Sequence, residues 1–364
     1  AHPKKMISTF VQNRNMAHFY KLTVSEIRPL TPNAVAVSLK VPQALKATFA
    51  FTAGQYITIK HTLNGTELRR AYSLCTAPGS GVLQVGVKKV KGGAFSVFAN
   101  ERLKKGDVLQ VMPPQGKFNF TPTPNAANAY VAFVAGSGIT PVLSIIKTAL
   151  AQEPNSTFTV VYGNRSIAET MFFDELARLK QANPRSLQVQ YIYSRAEPEN
   201  GMFGRIDRAT VNYLLKSKLK AYNFTAHYLC GPGPMIATVK SILKERGVNE
   251  EQIHTELFTT AQEAMPVQPH GGSTQLTITV DDGTRTFTAP QTQSVLEAAL
   301  QHKIDVPYSC QGGICSTCIA RIVEGRAEMQ KNQILTDGEI AEGLILTCQA
   351  HPTTPTLIID YDDV

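Results

Sequence analysis

Cys310-Gln-Gly-Gly-Ile-Cys315-Ser-Thr-Cys318, followed after 29 intervening residues by Cys348, decides the reading of this 364-residue chain. The spacing C-x4-C-x2-C…C is that of a plant-type [2Fe–2S] site, in which four thiolates hold two irons. Two other uses of cysteine compete with it. A structural zinc site normally shows two short C-x2–4-C pairs, and here the fourth cysteine stands alone. Disulfides suit small secreted chains, whereas this chain is long and its first residues, Ala1-His-Pro-Lys-Lys-Met6, lead into no apolar run. Cys310, Cys315, Cys318 and Cys348 are therefore the expected metal ligands, with Cys75 and Cys230 outside the set. A centre of this kind passes single electrons, so the rest of the chain has to supply a source and a destination for them.

The length allows two or three domains, and the hydrophobic content of 43% is that of an ordinary globular protein. No apolar stretch is long enough for a membrane span, and no secretory signal is legible, so a cytoplasmic protein without a membrane partner is expected. The net charge of +8 is unevenly spread. Residues 1–126 carry 17 Lys+Arg against 4 Asp+Glu, residues 127–258 carry 14 against 11, and residues 259–364 carry 5 against 13. A basic N-terminal third and an acidic C-terminal third attract one another. No dense basic run or recognition motif points to nucleic acid.

Outward from the cysteines, residues 274–364 form the expected α+β ferredoxin-like domain. A hairpin (Leu276–Val280, a turn at Asp281-Asp-Gly283, Thr284–Thr288) precedes a helix at Ser294–His302 and the cysteine loop. Residues 259–273, rich in Ala, Gln, Pro and Gly, read as a linker. Residues 127–258 alternate strands with helices, which implies a parallel α/β sheet. Strands are expected at Tyr130–Ala135, Thr157–Tyr162, Leu187–Tyr193 and Ala226–Leu229, with helices at Pro141–Ala151 and near Glu169–Gln181. Residues 16–122 hold short alternating runs such as Tyr56–Lys60 and Leu83–Val87 between turn signals such as Asn64-Gly65, the pattern of an antiparallel barrel or sandwich. Residues 1–15 read as a tail outside the fold, with Met16 a plausible start.

Two glycine turns in the α/β segment suit a dinucleotide. Gly136-Ser-Gly138-Ile-Thr140-Pro141 lies between a strand and a helix, where glycines let backbone approach a pyrophosphate and a helix start offers free N–H groups. Cys230-Gly231-Pro-Gly-Pro lies at the same edge of the sheet. No acid follows the second strand to take a ribose 2′-hydroxyl. Arg165 and Arg195 end the second and third strands instead, which favours a 2′-phosphate and thus NADPH over NADH. In the β segment, alternation places Arg70 and Tyr72 on one face, a guanidinium for phosphate and an aromatic for a flat ring, next to Ser73. Gly92-Gly93-Ala-Phe-Ser96 opens a helix suited to a second phosphate. Taken alone, each of these is also an ordinary strand charge or tight turn.

Taken in order, Arg70-x-Tyr72-Ser73, Gly93-x-x-Ser96, Gly136-Ser-Gly-Ile-Thr-Pro141 and Cys230-Gly-Pro232 resemble the signature set of the ferredoxin–NADP reductase superfamily. With the cysteine motif at the C-terminal end, the chain is similar to reductase components of multicomponent oxygenases, most of all to the family of phenylacetyl-CoA epoxidase reductases of phenylacetate breakdown. Pro114-Gln-Gly116, Tyr162-Gly-Asn-Arg165 and Gly204-Arg-Ile-Asp207 extend that likeness. Steroid 9α-hydroxylase reductases are alike, and the motifs separate the two poorly; a general NAD(P)H:acceptor reductase is the other alternative. The resemblance implies FAD on Arg70, Tyr72 and Ser73, with the pyrophosphate at Gly93–Ser96. It implies Thr140 and Cys230 at the nicotinamide, and Glu256 and Phe258 beside the flavin. Ser73, Cys230 and Glu256 are the catalytic candidates. It also implies a di-iron oxygenase as the electron acceptor.

Overall fold

The computed structural model describes residues 18–195, 201–258 and 271–364. The expected tail at 1–15 and all but the last three residues of the expected linker lie outside them.

The first unit is one antiparallel sheet of β1 (Tyr20–Thr31), β2 (Ala34–Lys40), β3 (Tyr56–Leu63), β4 (Thr66–Ser73), β5 (Leu83–Lys88) and β6 (Val108–Val111), with α1 (Ala94–Glu101) crossing between β5 and β6. The strand order is β4-β3-β6-β1-β2-β5. Its two edges meet where Leu74, one residue past β4, bridges to Val85 of β5, so the sheet closes into a barrel. Closure hides both edges from other chains, and Leu22, Val24, Ile57, Val85 and Leu109 fill the interior.

The second unit is a sheet of β7 (Ala129–Ala135), β8 (Thr157–Asn164), β9 (Leu187–Tyr193), β10 (Met202–Phe203), β11 (Ala226–Gly231) and β12 (Ile253–Leu257). All five pairings are parallel, in the order β10-β9-β8-β7-β11-β12. Parallel strands need crossovers, here α2 (Ile139–Gln152), α3 (Phe173–Ala182), α4 (Arg208–Lys216) and α5 (Gly233–Glu245), and these bury both faces. Alternate residues of β7 divide accordingly: Val131 and Phe133 enter one core, Ala132 and Val134 the other. Helix α3 starts four residues later than the periodicity predicts. Met171 and Phe172 are buried in the core shared with the barrel, and Phe172 takes a left-handed backbone with φ 57°, so no helix can run through that point.

Barrel and parallel sheet share a core. Ala36, Cys75 and Phe118 of the first pack with Ile139, Leu143 and Tyr228 of the second. Lys147 and Ser144 of α2 donate to the carbonyls of Cys75 (2.7 Å) and Thr76 (2.6 Å). Burying one such apolar side chain is worth about 1.5–3 kcal/mol, so this joint is a fixed one.

The third unit opens with the expected hairpin, β13 (Ser273–Val280) and β14 (Gly283–Pro290). Helix α6 (Val295–Gln301) follows, with Ser294 and Glu297 forming a reciprocal N-terminal cap. The chain continues through β15 (Ile319–Glu324), β16 (Ala327–Met329), α7 (Asp337–Ala341), β17 (Leu344–Leu346), β18 (Ala350–Pro352) and β19 (Thr356–Asp360). The main sheet runs β14-β13-β19-β15-β17. Among the described residues, no helix is long and apolar enough to cross a membrane.

Candidate functional site

Ser73 ends β4, and Glu256 lies one residue before the end of β12. The Ser73 hydroxyl donates to Glu256 Oε2 at 2.9 Å, joining barrel to parallel sheet. Cys230 of β11 is the register partner of Glu256 and is fully buried. Burial pushes the Glu256 carboxyl up to about 8, against the Ser73 hydrogen bond that lowers it. Burial, and then the neighbouring Glu256, push the Cys230 thiol up as well. At neutral pH both groups are uncharged, so this wall offers a hydroxyl, a thiol and a protonated carboxyl in an apolar setting.

The raised Glu256 value sets a pH dependence. The folded chain holds a proton up to about pH 8 that the unfolded chain releases around its ordinary value of 4.5. Stability from this group is therefore fully present below 4.5 and is lost as pH rises towards 8. Thermal unfolding of wild type and Glu256→Gln should diverge over that window, the wild type losing ground as pH rises and the gap levelling off above it. Parallel curves would rule the assignment out.

On the barrel side, Tyr72 packs against Phe95 with ring centroids 5.6 Å apart, and Phe95 lies in the first turn of α1. Arg70 is exposed. It gives one N–H to the Arg69 carbonyl at 2.7 Å, and its other N–H groups have no partner among the described residues. Gly93 caps α1 with no side chain over the helix start. Ser96 is buried, its oxygen accepting from the Val90 N–H at 3.2 Å. A guanidinium, a bare helix start and an aromatic wall on adjoining elements fit a flavin with its pyrophosphate.

Across the joint, Gly136 adopts φ +54° in a single tight turn before α2. A Cβ on Gly138 would lie 2.2 Å from the Cys230 carbonyl oxygen, so only glycine lets the two turns touch. Gly231 lies in the same contact, its nitrogen 3.1 Å from that position. Thr140 is buried and donates to the Ser137 carbonyl at 3.0 Å. Arg165 and Arg195 are brought together at the strand ends, the Arg195 N–H donating to the Arg165 carbonyl at 2.9 Å. Arg165 also pairs with Glu169 at 3.5 Å. Phe258 stands just past β12, 38% exposed, an aromatic face open to a ring. Bare turns, unfilled helix starts and paired arginines fit a phosphorylated dinucleotide.

The four cysteines of the third unit are free, with Cys315, Cys318 and Cys348 buried and Cys310 partly so. Cys310 is within hydrogen-bonding reach of Cys315 and Cys348, and Cys348 of Cys318. The Gly312 N–H points at Cys310 Sγ, 3.3 Å away. Gly313 (φ +69°) lets the loop close, since a Cβ there would lie 2.6 Å from the Lys331 carbonyl oxygen. Among the described residues, no group of three or more His, Cys, Asp and Glu offers a site for a single metal ion. A two-iron cluster would ask for a different arrangement, two cysteine thiolates for each iron, and four converging thiols with an N–H aimed at sulfur fit it.

Several residues here were not singled out by the motifs. Lys88 of β5 comes from the barrel to the nucleotide turn, its Nζ 3.3 Å from where a Gly136 Cβ would stand, and burial and Arg165 both lower its pKa. Arg69, on the opposite face from Arg70, is buried. It pairs with Glu67 (2.9 Å) and Asp305 (3.1 Å) and lies 4.0 Å over the Tyr308 ring. Lys117 pairs with Glu339. Tyr56 of β3 meets Ser316 (3.1 Å) and Thr317 (2.9 Å), inside the cysteine loop. The contacts of Arg69, Lys117 and Tyr56 hold the acidic third unit on the basic barrel. Charge asymmetry was the one sequence signal that pointed to the two ion pairs, Arg69 with Asp305 and Lys117 with Glu339.

Three family models match the chain. An oxidoreductase FAD-binding domain covers residues 21–120, an oxidoreductase NAD-binding domain residues 133–241, and a 2Fe-2S iron-sulfur cluster binding domain residues 278–353. A component of the 1,2-phenylacetyl-CoA epoxidase of Escherichia coli is 37% identical over 95% of this chain and 99% of its own. The ferredoxin reductase component of 3-ketosteroid-9-alpha-monooxygenase from Rhodococcus rhodochrous is 32% identical over 93% and 96%. Among solved structures, phthalate dioxygenase reductase superposes with a TM-score of 0.59 at 23% identity, covering 94% of this chain and 98% of that one, a likeness of fold.

Proposed function

This chain belongs to the family of reductases that join an FAD-binding, an NAD-binding and a 2Fe-2S cluster binding domain, and we propose that it delivers electrons from NAD(P)H to an oxygenase component. It is an NAD(P)H-dependent flavin and iron–sulfur oxidoreductase. The oxygenase we assign is a di-iron phenylacetyl-CoA epoxidase acting in phenylacetate breakdown, a reading supported by the full-length match to the epoxidase component. Its setting would be the cytoplasm, where six unpaired cysteines stay reduced.

One observation carries the relay. Tyr56 and Ser73 are register partners on β3 and β4. Ser73 reaches Glu256 of the nucleotide unit, and Tyr56 reaches the cysteine loop. Three units thus converge on two neighbouring barrel strands.

When bound, FAD takes a hydride from NAD(P)H and gives up its electrons singly to a one-electron cluster. Arg70 and the start of α1, at Gly93 and Ser96, would hold the FAD pyrophosphate. Tyr72 and Phe258 would line the ring, and Ser73 would sit near its N5. Gly136, Gly138, Thr140 and Gly231 would seat the nicotinamide nucleotide between the two sheets. Cys230 and Glu256 would keep water and charge away from the reacting carbon. Arg165 and Arg195 would take a 2′-phosphate, which favours NADPH. Cys310, Cys315, Cys318 and Cys348 would hold the cluster. In domain terms we take residues 16–122, 127–258 and 274–364 as the three units, with 259–273 as the linker.

Reconstitution tests the partner. With NADPH, oxygenated product should form when this protein is mixed with a phenylacetyl-CoA epoxidase oxygenase component, and not when either is omitted. Coupling to a 3-ketosteroid 9α-monooxygenase component with none to the epoxidase would overturn the assignment.

A further inference from the structure

We infer that Tyr56 is the positioning residue that fixes the cysteine loop against the flavin barrel and thereby sets both the flavin-to-cluster electron-transfer rate and the cluster potential. The inference rests on the proposed relay. Ser316 and Thr317 lie between the ligands Cys315 and Cys318, so whatever holds them holds the loop. The phenol of Tyr56 meets both hydroxyls, at 3.1 and 2.9 Å, across some 260 residues of sequence.

Tyr56 is well placed for this. Its own N–H and carbonyl both pair with Gln115, each at 2.8 Å. The ring is covered by Gly116, where an added Cβ would come within 3.0 Å of it. The side chain is 5% exposed and Thr317 is 4% exposed, so water does not compete for the contact. The opposite residue on β4 is Ser73. A rigid aromatic therefore spans from the strand pair of the proposed flavin site to the loop that carries two ligands. Arg69 with Asp305 and Lys117 with Glu339 hold the same units together, but their acidic partners are on other segments than the loop.

The hydroxyl count bears on the potential. A phenol has one proton for two contacts, so in at least one of them it accepts. At least one loop hydroxyl then donates its proton to Tyr56 and has none to offer a cluster sulfur. Removing the phenol oxygen frees that proton to turn toward sulfur, and hydrogen bonds to sulfur tune the potential of such clusters. The step concerned is the passage of one electron: no bond forms or breaks, the flavin is oxidised by one electron, the cluster is reduced by one, and NADPH is the source.

The test is Tyr56→Phe in the holoprotein, followed by stopped-flow absorbance and EPR under anoxic conditions. Flavin reduction by NADPH should stay within about twofold of wild type, while cluster reduction should slow by ~10-fold, the scale of a small loss of positioning. The cluster midpoint potential should rise and its EPR g-values should move. Thr317→Val removes the shorter of the two contacts from the other side and should slow cluster reduction in the same direction, by no more than Tyr56→Phe does. Because Tyr56→Phe already removes the Thr317 contact, the double variant should be no slower than Tyr56→Phe alone. Should Tyr56→Phe fail to fold, Thr317→Val decides. Unchanged cluster kinetics in either variant, an unchanged potential in Tyr56→Phe, or additive slowing in the double, would overturn the inference while leaving the relay standing. A wild-type cluster that neither NADPH nor NADH reduces would sink the relay instead.

Discussion

Cys315→Ser should leave NAD(P)H able to reduce the flavin at the wild-type rate while electron delivery to an oxygenase falls by at least ~10²-fold. The ligand of such a cluster is a thiolate, and a serine hydroxyl stays protonated where a thiol ionises. Cys315 is buried and within reach of Cys310, so its loss breaks a set that has no spare donor nearby among the described residues. Ser73, Cys230 and Glu256 lie elsewhere, at the joint between barrel and parallel sheet, and the substitution does not touch them. Turnover with ferricyanide, which can take electrons from flavin directly, should survive. The check is iron content and visible absorbance beside the two activities. Partner-coupled turnover that persists without the cluster would show that electrons leave by another route.

Ser73→Ala should slow flavin reduction by NADPH about 10²-fold, the cost of a misplacement of around an ångström at a reacting centre. The hydroxyl is the one hydrogen-bond donor given to Glu256 among the described residues, and both are buried. Its loss leaves a buried acid unpartnered, which costs roughly 1–3 kcal/mol of stability, and frees Glu256 and Cys230 to shift. Flavin content should stay close to wild type, because Arg70, Tyr72 and the start of α1 are unaltered. Ser73→Thr, which keeps the hydroxyl, should recover part of the rate. Flavin reduction within about threefold of wild type in Ser73→Ala would remove Ser73 from the reacting site.

Local patterns carried much of this. The cysteine spacing, the two glycine turns and the Arg70-x-Tyr72-Ser73 alternation are short-range features, and short-range features are what spacing reports. Cys230 and Glu256 become neighbours because parallel strands β11 and β12 fall into register, which their flanking sequence does not state. Arg69 and Arg70 show the limit clearly. Alternation puts them on opposite faces, yet only the fold reveals that the face of Arg69 meets Asp305 and Tyr308. Lys88 sits in no motif, and it matters because its strand end abuts a turn of the other unit. Tyr56 and Thr317 are joined across three domains' worth of chain, and no periodicity reaches that far. The late start of α3 has a similar cause: Phe172, buried in the core shared with the barrel, is left-handed there, which a good helical pattern does not state.

The most direct test of the relay is rapid mixing of the anoxic holoprotein with NADPH or NADH, following flavin absorbance and the EPR signal of the reduced cluster in the same time course. The account predicts that the flavin bleaches first and that the cluster signal grows in afterwards. A flavin that bleaches fully while the cluster stays silent, or a cluster that is reduced before the flavin, would contradict it.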